Sequence, residues 1–326
     1  MTNNKNQEDK KSSHRKHIIV IFVLLLSIIS FSIFIFRTQE PKYDQINENI
    51  IRKAASTRVE KEPDELTDQD FAKITILHID NTEIYNIKLL EKFTNLQELQ
   101  IRYVNIPKSA PAWMKILAKA GILNLREKYS IDLSPLGKLS ELEILYLRDM
   151  PIKNINTISK LSNLKVLNLV DVPIKNLNFI SGLKNLEFLY LDNLQASDIE
   201  PIKDLINLNI LWIYRMPVEN IEQLKGLIKL NNLELVNTYV SDIEPIKDLQ
   251  NLQTLTLNNN SISNIDQINK MNNLQSLQIQ NTLVSDLEPI KSLTNLQMLF
   301  IRGCTKITDQ QVEDLQKAMP KLKILR

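Results

Sequence analysis

Glycine is scarce in this sequence. Only 5 of its 326 residues are glycine, whereas average usage would give about 23. The five lie far apart, at Gly121, Gly137, Gly182, Gly226 and Gly303. Loops that cradle phosphate groups need closely spaced glycines, because the backbone must approach the ligand. The glycine content therefore excludes the common nucleotide-binding loops.

Cysteine and histidine are nearly absent as well. Cys304 is the single cysteine, and His78 is the only histidine after residue 17. One cysteine excludes an intrachain disulfide framework and any zinc site built from several cysteines. A nucleophile must lie within about 3 Å of its histidine base, and these two residues are far apart in the repeats described below. The sequence predicts no enzyme, no metal site and no cofactor.

A strong excess of charge is also missing. The net charge is +2; the first 17 residues hold five basic and two acidic residues, or +3, which leaves −1 for the rest. Nucleic-acid-binding proteins show a basic footprint, and this chain has none beyond that short tail. We therefore expect no nucleic-acid partner.

One long apolar run is present. Residues 18–36 carry no charged side chain, and a helix of that length spans about 28 Å, close to the ~30 Å core of a bilayer. We predict a basic cytoplasmic tail at 1–17 and a transmembrane signal-anchor helix at 18–36, with the remainder outside the cytoplasm, periplasmic or on the cell surface. A cleaved signal peptide, which would give a secreted protein, is the alternative. The length of the run and its lack of a clear cleavage site favour the anchor.

A repeat with the pattern L-x-x-L-x-L fills most of the remaining chain. Its first apolar position falls at Ile74, Leu96, Ala120, Leu142, Leu164, Leu186, Leu208, Leu230, Leu252, Leu274 and Leu296, with a constant step of 22 residues from Leu142 onward. The later two leucines of the pattern alternate with other residues at period two, as in a strand with one buried face. One such strand cannot bury its face alone, so the units are expected to stack into a parallel sheet.

These units resemble the leucine-rich repeats of bacterial proteins, and their 22-residue length and segments such as SDIEPIKDLQNL are similar to the internalin-like subtype. The resemblance implies an α/β solenoid: a curved stack of about eleven units with a parallel concave sheet, a helical N-terminal cap and a C-terminal cap helix. Here one transmembrane helix precedes it. The asparagine that the family places eight positions after the first leucine occurs only as Asn260. That edge of the interior is therefore expected to be apolar or lined by threonine.

The domain boundaries follow from these patterns. We predict a linker and helical N-terminal cap at 37–73, the solenoid at 74–306 and the C-terminal cap at 307–326. The residues expected to form the caps are Ile46, Ile50 and Ala54 on one helical face, Thr67 as a helix start, Thr308 and Gln311 in capping-box spacing, and Val312, Leu315 and Met319 as an inner face. Trp113, in the longer unit after Leu96, is expected to lie on a helix and to pack against the convex core. An exposed binding anchor is the alternative.

An Asp or Asn recurs twelve positions after the first apolar residue. It appears at Asp132, Asn154, Asn176, Asp198, Asn220, Asp242, Asn264 and Asp286. A turn on the convex side should begin there, and these side chains can accept its free backbone N–H groups. A row of calcium ligands is the alternative, but half of the row is amide, so the capping interpretation is favoured.

Aromatic residues collect on one part of the predicted concave face. The second, fourth and sixth positions after the first leucine should face solvent, and in the middle units they hold Tyr146, Phe188, Tyr190, Trp212 and Tyr214. The sequence shows no packing reason for aromatic side chains there. Tyrosine and tryptophan are favoured interface anchors, so we predict a partner-binding patch. The alternative is a scatter of residues that favour strands.

Arginine occupies the sixth position of three successive units, at Arg102, Arg126 and Arg148. Like charges stacked ~5 Å apart repel one another unless something anionic lies across them. An anionic partner is one explanation. Local neutralisation by Glu98, Glu127 and Asp149 is the other, and both stay open here.

The pattern favours a membrane-anchored recognition module that binds a protein ligand on its concave aromatic face. A glycan ligand is a further option. The alternative from another class is a structural component of the cell envelope that self-associates or binds cell-wall polymer. Asp192 and Glu234 are the only carboxylates that cluster in the aromatic zone, so a carboxylate pair for glycoside cleavage has little basis.

Overall fold

The structure, a computed structural model, covers most of the chain from residue 45 onward. The described residues are 45, 47–80, 84, 86–102 and 130–326. The chain divides into two compact units, Met1–Asn49 and Ile50–Arg326. Within the described part of the chain, no helix has both the length and the apolar character needed to cross a membrane. The predicted span at 18–36 and the tail at 1–17 lie outside that part.

Eleven parallel strands form the main sheet of the second unit. In chain order the strands are β1 (Ile76–Asp80), β2 (Glu98–Arg102), β3 (Ile131–Asp132), β4 (Ile144–Arg148), β5 (Ile152–Lys153), β6 (Val166–Val170), β7 (Phe188–Asp192), β8 (Ile210–Tyr214), β9 (Asn232–Val236), β10 (Thr254–Thr256), β11 (Ser276–Gln278), β12 (Met298–Phe300) and β13 (Lys323–Leu325). β3 and β5 pair only with each other, and the rest follow chain order in one sheet. From β4 to β12 each residue lies beside the one 22 positions further on. The predicted parallel repeat sheet is confirmed.

The sheet order corrects one prediction. The unit that begins at Ala120 is expected to place a strand between β2 and β4, but these two strands pair directly, with Arg102 beside Arg148. The strand segment of that unit lies outside the described residues. The step from Leu96 to this unit is 24 residues, which departs from the 22-residue spacing of the later units. The eleventh strand is β13, in the segment predicted only as a cap helix.

The core lies between the sheet and a row of short 3₁₀ helices. In β4, Leu145 and Leu147 are fully buried, while Ile144 and Tyr146 beside them are half-buried. Burying one leucine contributes about 1.5 to 3 kcal/mol, so the alternation decides which side of each strand faces inward. The 3₁₀ helices that close the repeats are Lys88–Lys92, Ser134–Lys138, Ile155–Lys160, Asn178–Ile180, Glu200–Ile202, Glu222–Leu224, Glu244–Ile246, Asp266–Lys270 and Glu288–Ser292.

The predicted turn capping is confirmed. Oδ1 of Asp198 accepts a hydrogen bond from the backbone N–H of Glu200 at 2.8 Å, at the start of a 3₁₀ helix. The same bond two residues ahead is made by Asp132, Asn176, Asn220, Asp242, Asn264 and Asp286. Asn154 differs, because it has a positive φ of 59° and donates its amide to Asp132 Oδ1 at 2.9 Å.

A second set of asparagines ties seven of the coils to the preceding coil. The side-chain amide of Asn185 donates to the backbone oxygen of Ser162 at 2.9 Å. Equivalent bonds to the carbonyl 23 residues earlier are made by Asn95, Asn163, Asn207, Asn251, Asn273 and Asn295. This ladder was not predicted. The asparagine amides donate hydrogen bonds to turn carbonyls that have no partner within their own coil.

The position eight residues after the first leucine changes character along the stack. It is apolar and buried at Met150, Val172, Leu194 and Met216. Further on, Thr238 Oγ1 donates to Asn260 Oδ1 at 2.7 Å, and Cys304 Sγ lies 3.4 Å from Thr282 Oγ1. The prediction of an apolar or threonine-lined edge is confirmed.

Three helices stand at the ends of the repeats: α1 (47–59), α2 (Asp68–Lys73) and α3 (Asp309–Ala318). Thr67 caps α2 in a reciprocal capping box with Asp70, and Thr308 does the same for α3 with Gln311. Both predicted helix starts are confirmed. Each box supplies acceptors for backbone N–H groups that the first helical turn leaves unpaired.

The cap helices bury nearly the predicted faces. In α3, Leu315 is buried, and Val312 and Met319 are partly buried against the core. In α1, Ile51 and Ala55 are fully buried. The predicted residues Ile50 and Ala54 are only partly buried, so that face is wrong by one position. Neighbouring positions on a helix differ by about 100° of rotation, and packing against the stack decides between them. Ile46 and Trp113 lie outside the described residues.

Two buried threonines give a matched test of hydrogen bonding in this fold. Thr256 Oγ1 is buried and has no hydrogen-bond partner among the described residues, whereas Thr282 Oγ1 donates to Ile279 O at 2.7 Å. Valine keeps the shape of threonine and removes the hydroxyl. We expect Thr256→Val to raise the free energy of unfolding by about 1 kcal/mol and Thr282→Val to lower it by about 1 kcal/mol. Urea unfolding followed by circular dichroism measures both, and an equal loss in the two variants would contradict the assignment.

Candidate functional site

The solvent-facing side of the main sheet, called the open face below, carries the predicted site residues. Tyr146 lies on β4, Phe188 and Tyr190 on β7, and Trp212 and Tyr214 on β8. All five side chains are half-buried, and the buried leucines between them point to the core. The period-two alternation of the strands therefore places these rings on the open face, outside the core.

Four of these rings form one cluster, called the aromatic cluster: Phe188, Tyr190, Trp212 and Tyr214. The Trp212 ring lies 5.1 Å from Phe188 and 5.7 Å from Tyr190, centroid to centroid, and both contacts are edge-to-face. Tyr190 and Tyr214 meet in the same way at 5.4 Å. Edge-to-face pairs at this separation are attractive beyond the area they bury. The rings thus have a packing reason to stand together, which the sequence did not reveal.

Hydrogen bonds fix the polar ends of three rings. The Tyr190 hydroxyl donates to Asp192 Oδ2 at 2.9 Å. Trp212 Nε1 donates to Asn232 Oδ1 at 3.0 Å, and the Tyr214 hydroxyl donates to Glu234. Because edge-to-face contacts hold all four rings and hydrogen bonds hold the tips of three of them, the cluster presents a preorganised surface.

Arg215 completes the cluster from the end of β8. Its Nε and Nη2 donate to the two carboxylate oxygens of Asp192 at 2.7 and 2.8 Å, in a bidentate pair. Asp171 lies 3.8 Å from the same guanidinium. Asp192 is almost fully buried, so this pair offsets the cost of keeping its charge out of water. It also keeps the acceptor for the Tyr190 hydroxyl in place.

Arg215 adopts an unusual backbone conformation. Its φ of 52° lies in the left-handed region. The equivalent position in the other repeats holds a residue that tolerates this region: Asp149, Asp171, Asn193, Asn237, Asn259, Asn281 or Gly303. Arginine is not favoured there, and the strain is about 1 kcal/mol or more. The sequence patterns did not identify Arg215 as a residue of the site. Its departure from the repeat rule at this position is the signal that identifies it.

The environment of the tyrosines shifts their acidity. Burial, with the Asp192 hydrogen bond next, raises the pKa of Tyr190 to about 12. Burial and then the hydrogen bond to Glu234 raise the pKa of Tyr214 as well. Burial also raises the pKa of Tyr146, with Glu98 as a second cause. All three hydroxyls therefore stay neutral hydrogen-bond donors near neutral pH.

The structure does not join the other predicted residues to the cluster. Tyr146 on β4 is separated from Tyr190 by Asn168 on β6. Arg102 and Arg148 lie side by side at the exposed ends of β2 and β4. Arg126 lies outside the described residues.

The arginine pair is partly neutralised by its own chain. Arg148 Nε lies 3.3 Å from Asp149 Oδ2. Glu98, the other neutralising residue of this row that the structure describes, lies 2.7 Å from His78 Nε2. Local neutralisation thus accounts for one arginine of the pair. The interpretation that needs an anionic partner stays a prediction for Arg102.

His78 and Cys304, the histidine and the cysteine considered as catalytic groups, both contact groups of the fold itself. His78 is on β1 beside Glu98, and Cys304 is buried with its Sγ 2.9 Å from Ile279 O. The carboxylates near the cluster already accept hydrogen bonds, Asp192 from Tyr190 and Glu234 from Tyr214. Among the described residues, no group of three or more His, Cys, Asp or Glu side chains is arranged to hold a metal ion.

The pKa of Tyr190 gives a test of the cluster. The folded chain holds this proton more tightly than an unfolded chain, in which the pKa is about 10. Its contribution to stability is therefore complete below about pH 10 and is lost as the pH rises through about 12. We expect the free energy of unfolding to fall less over this window in Tyr190→Phe than in the unmodified chain. Urea titrations at several pH values measure it, with Tyr239→Phe, at an exposed tyrosine, as the control; equal falls in all three proteins would contradict the contact.

The fold and its repeats have clear counterparts. The family model for leucine-rich repeats matches residues 250–292 and 272–317. Among solved structures, an internalin, InlF, from Listeria monocytogenes is similar at 24% identity, over 86% of this chain and 96% of that one, with a TM-score of 0.54. Internalin C2 from the same organism is similar at 24% identity, over 77% and 91%, with a TM-score of 0.53.

A plant receptor has a similar fold. The plant peptide hormone receptor RGFR1, in complex with RGF2, is similar at 20% identity over 77% of this chain and 47% of that one, with a TM-score of 0.52. No curated protein sequence matches the chain. The predicted resemblance is confirmed: the chain carries leucine-rich repeats, and its fold is a leucine-rich-repeat solenoid similar to that of the bacterial internalins.

Proposed function

We propose that the chain is a membrane-anchored recognition module that binds a protein partner on its open face, outside the cytoplasm. The observation that carries this proposal is the aromatic cluster, four rings held on the solvent-facing side of the sheet by contacts within the chain. Tyrosine and tryptophan dominate the energetics of protein interfaces. Rings that are already fixed lose little conformational entropy when a partner arrives, so more of the contact energy appears as affinity.

The relatives support a protein or peptide ligand. The plant receptor is a peptide hormone receptor in complex with RGF2, so a solenoid of this architecture accommodates a peptide. We propose a ligand of the same broad class here. Solenoids bind through an extended surface whose shape is set by stacking, and a preformed surface of this kind changes little between the free and the bound state.

The membrane anchor rests on the apolar run at 18–36 and the basic residues that precede it. The partner would then be an envelope protein, or a protein that reaches the membrane from outside.

The aromatic cluster is tested by removing two of its rings. We expect Tyr190→Ala combined with Trp212→Ala to weaken partner binding at least about 30-fold, because each ring is a fixed interface anchor. In-cell crosslinking, followed by identification of the captured protein and measurement of its affinity, provides the assay. Tyr239→Ala removes a tyrosine that is 63% exposed and not part of the cluster, and serves as the control. Unchanged affinity in the double variant would remove the patch as the binding surface.

The anchor is tested by deleting residues 1–36. We expect the full chain to sediment with membranes after a high-salt wash and to be digested by protease added to intact spheroplasts. The shortened chain should stay in the soluble fraction. Release of the full chain by salt, or its protection from external protease, would contradict the proposed topology.

A further inference from the structure

The two tyrosines of the aromatic cluster each donate a hydrogen bond to a carboxylate, and the two carboxylates differ in whether a cation pairs with them. Tyr190 donates to Asp192, which also receives the guanidinium of Arg215. Tyr214 donates to Glu234. Glu234 is half-buried, and no lysine, arginine or histidine pairs with it in the described part of the chain. One half of the cluster thus contains a cation and the other half does not.

The charge around the cluster is negative as a result. Asp171, Asp192 and Glu234 border it, and in the described part of the chain Arg215 is the cation that forms ion pairs with these carboxylates. Three carboxylates therefore share one directly paired cation. Besides burial, which is the largest cause, the negative charges of Glu234 and Asp192 raise the pKa of the Tyr214 hydroxyl. The potential at this side of the cluster therefore favours a positive group.

The surroundings of Glu234 suit a long basic side chain. Glu234 lies beside Trp212 across the β8–β9 pair, and Val236 lies beside Tyr214. Trp212, Tyr214 and Val236 are all half-buried on the open face. Aromatic faces attract cations, and an aliphatic neighbour can pack the methylene stem of lysine or arginine.

We propose that the position bordered by Trp212, Tyr214, Glu234 and Val236 receives a lysine or arginine side chain of the protein partner. The inference rests on the proposed function and adds the chemistry of the ligand. Arg215 provides the precedent within the chain, because its guanidinium already fills the equivalent place beside Tyr190 and Asp192. A partner cation would make a charge-assisted hydrogen bond to Glu234 and contact the rings.

The arginines elsewhere on the open face do not cancel this potential. Arg148 is on β4, four strand spacings from Glu234 on β9, or roughly 19 Å at ~4.8 Å per strand. That separation exceeds the screening length of about 8 to 10 Å at physiological salt. Arg148 acts on the nearer end of the cluster, where its charge lowers the pKa of Tyr190 against the larger effect of burial, but this charge is largely screened at Glu234. A basic side chain therefore fits the Glu234 end of the cluster.

Selection of peptides tests the inference directly. The full chain, purified in a mild detergent, is used to enrich a phage-displayed library of random peptides, and the enriched peptides are synthesised. We expect them to share a lysine or arginine whose replacement by glutamine weakens binding by about tenfold. Glu234→Gln keeps an acceptor for the Tyr214 hydroxyl but removes the charge, and should weaken binding by a similar factor. Glu143→Gln, at a half-exposed carboxylate paired with Lys165, should change it less than about twofold.

The salt dependence of peptide affinity distinguishes binding of a cation at Glu234 from contact with the rings alone. Raising NaCl from about 0.05 M to about 0.5 M should weaken peptide binding to the unmodified chain several-fold, and far less in Glu234→Gln. Peptides that depend on Trp212 but are indifferent to Glu234→Gln and to salt would overturn the inference and leave the proposed function standing. Enrichment of acidic peptides that depend on Arg148 would also overturn it. Peptides that bind Trp212→Ala as well as the unmodified chain, or no enrichment at all, would reject the proposed function together with the inference.

Discussion

The structure depends on one constraint: each repeat supplies a single strand whose buried leucines need neighbours on both sides. In β7, Leu189 and Leu191 are fully buried between the equivalent residues of the adjacent strands, which are leucines except for Ile213. The constant 22-residue step keeps these positions beside one another. A slip by one residue would turn the leucines to solvent, so register is strongly fixed. The side chains between the leucines are therefore held on a regular grid, with rows ~4.8 Å apart, and that grid is the open face.

The corner after each strand is where the functional site departs from the repeat. Most repeats place Asp or Asn in the left-handed conformation there, and the last uses Gly303, where an added Cβ would lie 1.9 Å from Asn281 Oδ1. Arg215 accepts the strained conformation, and its bidentate pair with Asp192 compensates. The pair keeps a buried carboxylate charged, and that carboxylate holds a tyrosine of the cluster. Strain at one corner is thus linked to order on the open face.

Local chemistry explains what could be predicted from the sequence. Strand alternation, the turn-capping Asp and Asn residues, and the capping boxes at Thr67 and Thr308 depend on neighbours within a few residues, and the structure confirms them. Features that depend on contacts between neighbouring coils were harder to predict from the sequence. β2 pairs directly with β4 where an intervening strand was predicted, and the predicted buried face of α1 is wrong by one position, because register and packing across the stack decide both. The hydrogen bonds of Trp212 and Tyr214 join β8 to β9, so they depend on the pairing of neighbouring strands.

The hydrogen bond between Tyr214 and Glu234 also selects among ligands. A partner that covers the cluster removes Glu234 from water, and a carboxylate with a single hydroxyl donor is costly to desolvate. A neutral ligand offsets only a small part of this desolvation cost. A cationic one replaces the lost hydration with a charge-assisted bond, as Arg215 already does for Asp192. Specificity at this position then comes from the penalty imposed on partners without a cation as much as from attraction to those that carry one.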